Sequence, residues 1–161
     1  MNKLIKPIKE QKYFKKEFSH KCNAHFLTRK NDLDQVVYSL IRTKNQFEAK
    51  ELFLRIQENE TSFGKVAKEY SRGHEKNTLG IIGPVPISAA HPKLVEILRS
   101  RKPGELVEPF MLDEWWIILR VESLQEASLD DAMEFKMNME LCQIWLKDRA
   151  ESIIDDLKTK F

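Results

Sequence analysis

The sequence predicts an α+β domain with one helix added at each end. Three observations carry this. Runs rich in β-forming residues stand at 36–41, 81–82 and 115–121. Segments with helical apolar spacing separate the first two runs and lie outside the whole. Turn residues crowd the middle: all five glycines fall between Gly64 and Gly104, and five of the six prolines between Pro84 and Pro109.

Taken in order, Phe14, Phe18, Cys22 and Phe26 recur every fourth residue and mark one face of a helix. Residues 36–41, VVYSLI, form the first strand. Phe47, Leu52 and Ile56 set a helix over 45–59, and Ser62 caps a second short helix over 62–70. Residues 71–80 read as a polar loop, Ile81-Ile82 as a short buried strand, and Pro84-Val85-Pro86 as stiff extended chain. His91-Pro92 opens a helix over 93–99. Lys102-Pro103-Gly104-Glu105 places Pro and Gly where a type II turn wants them. Residues 115–121 are apolar on both faces, so this strand is read as central, with Trp115 and Trp116 pointing to opposite sides.

Ser128-Leu129-Asp130-Asp131 reads as a helix start with Ser128 as the cap. The stripe Leu129, Met133, Met137, Leu141, Trp145 follows, and Ile153, Ile154, Leu157 and Phe161 continue it. A long amphipathic helix needs a partner, and the head helix is the nearest. The element order is β-α-α-β-α-β-β between two helices. The expected division is a basic helical extension at 1–30, a central domain at 31–125, and a C-terminal amphipathic helix at 126–161 that pairs with the first.

The chain has 161 residues, 42% apolar and 32% charged, which suits a packed core under a charged surface and argues against overall disorder. No apolar run approaches the roughly 20 residues that span a bilayer. The basic N-terminus lacks an apolar signal core, and two cysteines suit a reducing compartment, so a cytoplasmic protein is expected. Charge is uneven. Residues 1–30 hold nine Lys/Arg and two acidic residues, +7, whereas 121–161 hold five and ten, −5. Such a head suggests polyanion binding. The acidic tail makes mutual attraction of two helices the better reading, so nucleic acid is not favoured as a partner. His20, Cys22 and His25 match no metal-ligand spacing, and no nucleotide, hydrolase or zinc-protease motif occurs.

Several words then stand in a telling order: YSLIRT at 38–43, EAKEL at 48–52, SFGKVAKEYS at 62–71, TLG at 78–80, KPGELVEP at 102–109 and WIILRV at 116–121. In this order and spacing they resemble the parvulin family of peptidyl-prolyl cis/trans isomerases (rotamases) over roughly 35–123. IGPVP at 82–86 and HP at 91–92 are most similar to a cyanobacterial branch. The resemblance implies a four-stranded antiparallel sheet with surrounding helices and isomerisation of X–Pro bonds in an extended, proline-containing peptide. No metal or cofactor is implied. In related SurA- and PrsA-type proteins, helices before and after this domain join in a chaperone-like lobe. The alternative function is therefore a non-catalytic module holding an unfolded protein client.

Parvulins are described with two histidines on neighbouring strands, a Cys or Asp nearby, and a Met/Phe-lined proline pocket. Carried over, the histidine positions fall on Tyr38 and Trp116 and the Cys/Asp position on Gly73. The methionine falls on Ile87 or Ala90 and the phenylalanine on His91 or Leu94. The resemblance thus implies Tyr38, Trp116 and His91 as catalytic positions, and Tyr38, Ile82, Ile87, Leu94 and Trp116 as the substrate slot. Tyr and Trp donate hydrogen bonds without titrating near neutral pH, so the expected chemistry is apolar binding without proton transfer.

Overall fold

The computed structural model describes the backbone of residues 2–158 and side chains from 15 to 158; Phe14 and Phe161 of the two predicted stripes lie outside the described side chains. The chain divides into two compact units, Asp32–Glu126 and Met1–Asn31 with Ala127–Phe161. No helix among the described residues is long and apolar enough to cross a membrane.

The helix α1 spans Asn2–Leu33 and leads into β1, Gln35–Thr43. Asn45 caps α2, Gln46–Gln57, by accepting from the Phe47 and Glu48 amides. Ser62 does the same for α3, Phe63–Tyr70, through Lys65. A 3-10 turn, His74–Thr78, precedes β2, Ile81–Pro86, and a second, Ile87–Ala89, precedes α4, Pro92–Ser100. The chain then forms β3, Leu106–Leu112, β4, Trp115–Gln125, and α5, Asp131–Lys158. The four strands form one antiparallel sheet in the order β2-β1-β4-β3. β4 is central, as its two apolar faces require. Gly104, at φ +85°, takes the left-handed position of the predicted turn.

Each face of the sheet has its own core. Val36, Tyr38, Leu40, Ile117, Leu119 and Val121 pack with Ile87, Leu94 and Leu98 on the face that carries α4. Ile41 and Ile118 pack with Ala49, Leu52, Phe53, Phe63 and Val66 on the face that carries α2 and α3.

In the other unit, Cys22, Phe26, Met137 and Cys142 are buried, and both cysteines are free thiols. Lys15 Nζ meets Glu134 Oε2 at 3.2 Å, His25 Nε2 lies 3.0 Å from Glu140 Oε2, and Arg29 also donates to Glu140. On α5 these contacts fall at Glu134 and Glu140, within its first three turns. Of the stripe predicted on this helix, Met137 is buried, whereas Trp145, Ile153, Ile154 and Leu157 are exposed.

Three further expectations need correction. Asp130, not Ser128, caps α5: its Oδ1 accepts from the Met133 amide at 2.8 Å. β2 is an edge strand with Ile81 exposed and Ile82 half-buried, not a buried strand. The polar loop at 71–80 carries a buried carboxylate, Glu75, because Arg42 and Ser71 bond to it.

Candidate functional site

The proline slot expected between Tyr38 and Trp116 does not exist. Cross-strand partners share a face of an antiparallel sheet. Tyr38 pairs with Val121, Leu40 with Leu119 and Arg42 with Ile117, all on the α4 face. Trp116 pairs with Thr43 and packs on the α2/α3 face. The two side chains are therefore separated by the sheet itself. Trp115 is the tryptophan that packs on the α4 face, with Lys44 Nζ 5.1 Å from its ring centre.

The α4 face is also full. Tyr38 and Leu94 are each 5% exposed and Ile87 is 0% exposed, all in one apolar cluster. Ile87 reaches this place because the turn at 87–89 is tied to the chain entering β1: its amide donates to Asp34 O at 2.8 Å, and Ser88 Oγ donates to Asp32 O at 2.8 Å. Of the expected slot residues on this face, only Ile82 is half-buried. His91 is exposed and serves as the N-cap of α4, its Nδ1 accepting from the Lys93 amide at 3.2 Å. The buried positions facing α4 on the two central strands carry aliphatic side chains and Tyr38, with Trp115 and Arg42 further along the same face and no imidazole among them.

Polar chemistry on this face begins at Arg42, past Tyr38 and Leu40. Arg42 Nε donates to Glu75 Oε1 at 2.8 Å, and the Ser71 hydroxyl donates to the same oxygen. The Ser71 hydroxyl also accepts from the Arg42 amide at 3.1 Å, and the Arg72 amide donates to Arg42 O at 3.0 Å. Burial alone would raise the Glu75 pKa. The Ser71 hydroxyl, its own amide and the Arg42 guanidinium together outweigh this and hold it below the usual carboxylate value. Burial pushes the Tyr38 phenol up; Arg42 opposes that rise and Glu75 adds to it, so the three groups feel one another.

The same network explains Gly73. A Cβ there would lie 2.1 Å from Glu75 Oε2 and 2.5 Å from Arg42 Nε. The ion pair fills the space where the family resemblance sets a Cys or Asp side chain. Sequence reading missed Arg42 and Glu75 because they are 33 residues apart. The usable signal was a lone glutamate in a loop beside a glycine at a position where the family carries a functional side chain.

On the opposite face, Trp116 floors an open cavity of about 280 Å³ with Phe53, Leu54 and Pro109, rimmed by Gln46, Lys50, Gln57 and Glu108. This cavity is separate from the network on the α4 face.

Comparison with known proteins agrees with this architecture. Residues 25–123 match the rotamase family of PPIC-type PPIase domains. No curated protein matches at the sequence level. Among solved structures, the fold is similar to the peptidylprolyl isomerase PrsA from Bacillus anthracis, with TM-score 0.57 and 19% identity over 81% of this chain; the chain spans 58% of that protein's length. It is similar to the parvulin domain of PpiD from E. coli, with TM-score 0.51 and 22% identity, covering 61% of this chain and 95% of that domain. A Campylobacter jejuni structure, from a pair described as SurA-like chaperones, covers 95% of this chain and 68% of its own at TM-score 0.54 and 17% identity. With more than half of its residues matched and the βααβαββ sheet in place, the chain belongs to the PPIC-type peptidyl-prolyl cis/trans isomerase family.

Proposed function

We propose that the domain isomerises X–Pro bonds in extended, proline-containing polypeptide, with low turnover and without proton transfer. The observation that supports this is the match of residues 25–123 to the PPIC-type PPIase domain. The physical task needs little: amide resonance sets a barrier of roughly 18–20 kcal/mol, and the enzyme must favour the twisted amide over both planar forms. Proline makes the reaction useful because its tertiary amide keeps a cis population. Cis/trans exchange spectroscopy on an Ala-Pro peptide tests the proposal. Acceleration of exchange by catalytic amounts of protein is the expected result; its absence at stoichiometric protein overturns it.

A second reading is a binding module that holds a proline-containing or unfolded client without turnover. Ile87 favours it, because a fully buried side chain takes the room a prolyl ring needs. Peptide-induced amide shifts without accelerated exchange would establish that reading in place of the first. A cytoplasmic location is part of the proposal. The two free, buried thiols, Cys22 and Cys142, agree with a reducing compartment, and cell fractionation tests it.

A further inference from the structure

Glu75 keeps only 2% of its side chain exposed, in a stretch the sequence marks as polar. Burying a charge is tolerated when a partner and hydrogen bonds surround it. Arg42 and Ser71 supply both, and in doing so they fix the arginine: its amide is held by Ser71 Oγ and its Nε by Glu75. The Arg42 side chain is nevertheless 35% exposed. A guanidinium has five N–H donors and Glu75 engages one nitrogen, so donors remain for a ligand on a side chain already fixed at its Nε.

The location gives this meaning. Arg42 lies opposite Ile117 on the α4 face. Its Nε stands where a side chain on Gly73 would begin, 2.5 Å from that Cβ position. A twisted X–Pro amide loses resonance, and the nitrogen recovers a localised lone pair. The planar prolyl nitrogen accepts no hydrogen bond, so a donor aimed at it binds the transition state alone.

We propose that Arg42 is the catalytic residue of this domain, donating to the prolyl nitrogen as the bond twists, with Glu75 and Ser71 as positioning residues. This rests on the isomerase reading above. No covalent bond breaks and no proton moves.

The test uses the full chain and an uncharged probe, acetyl-Ala-Ala-Pro-Ala-amide, so that no peptide carboxylate attracts the arginine. Wild-type exchange is measured first; if it is absent, the isomerase reading fails before any variant is compared, and the assignment to Arg42 falls with it. Arg42→Met alone strands a buried carboxylate and is prone to unfold. The informative variant is therefore Arg42→Met with Glu75→Leu, which removes both charges at similar volume. The expected result is a folded protein whose kcat drops at least about tenfold at unchanged KM, with Arg42→Lys retaining an intermediate rate. Wild-type kcat in the folded double variant would show the pair to be structural only. A raised KM at unchanged kcat would make Arg42 a peptide contact and likewise overturn the catalytic assignment.

Discussion

Glu75 Oε1 and Arg42 Nε lie 2.8 Å apart across 33 residues of sequence, and the carboxylate is the more deeply buried partner. This pair ties β1 to the 3-10 turn at His74–Thr78, and the stability of that junction depends on pH. The folded state holds the Glu75 pKa below its ordinary value of 4.5. A depressed folded pKa contributes stability above the unfolded pKa, which is lost as pH falls through the folded value. Urea midpoints followed by tryptophan fluorescence should therefore fall as pH drops below 4.5. Subtracting the same titration of Glu75→Gln should remove part of that slope; an identical slope in both proteins would contradict the assignment.

Gly73 is required by space and not by backbone conformation, since its φ of −105° suits any residue. Gly73→Ala drives a methyl group into the ion pair. Overpacking of this kind costs about 1–3 kcal/mol. Equilibrium unfolding should show a loss in that range, and a neutral substitution would mean that Arg42 swings out freely.

Ile87 occupies the α4 face with 0% exposure. Ile87→Ala should lower stability by about 2–5 kcal/mol through the cavity it leaves. The same cavity should admit a prolyl ring. In the folded fraction, exchange of the Ala-Pro peptide should accelerate severalfold, and unchanged exchange would show that Ile87 does not limit access.

Glu75 is shifted down and Tyr38 is shifted up, so neither changes charge near neutrality. Isomerase rates should be nearly flat between about pH 5.5 and 8. A sigmoid in that window, abolished by His91→Gln, would move the chemistry to the cap of α4.

Trp116 tests the division between the two faces. Trp116→Leu should weaken the packing around the cavity bounded by Phe53 and Pro109 while leaving peptide exchange by the folded protein at the wild-type rate. Loss of exchange at unchanged fold would place substrate on the α2/α3 face.

Local chemistry alone determined much of this protein. Asn45 and Ser62 preceded helices, Pro103-Gly104 made a turn, and the doubly apolar run around Ile117-Ile118 was central, because capping, φ preference and burial are properties of neighbouring residues. The ordered words of the middle segment gave the family for the same reason. The placement of Tyr38 against Trp116 was not determined in this way. Side chains on strands alternate, so the face of one strand relative to another depends on register, and a shift of one residue reverses it. Here β1 carries an irregularity between Val37 and Tyr38, and the pairing sets Tyr38 opposite Val121. Only the tertiary structure decided that register, buried Ile87 in the α4-face core, and brought Glu75 from a loop onto Arg42. Each of these is a contact between distant segments, fixed by how two faces of one sheet are covered.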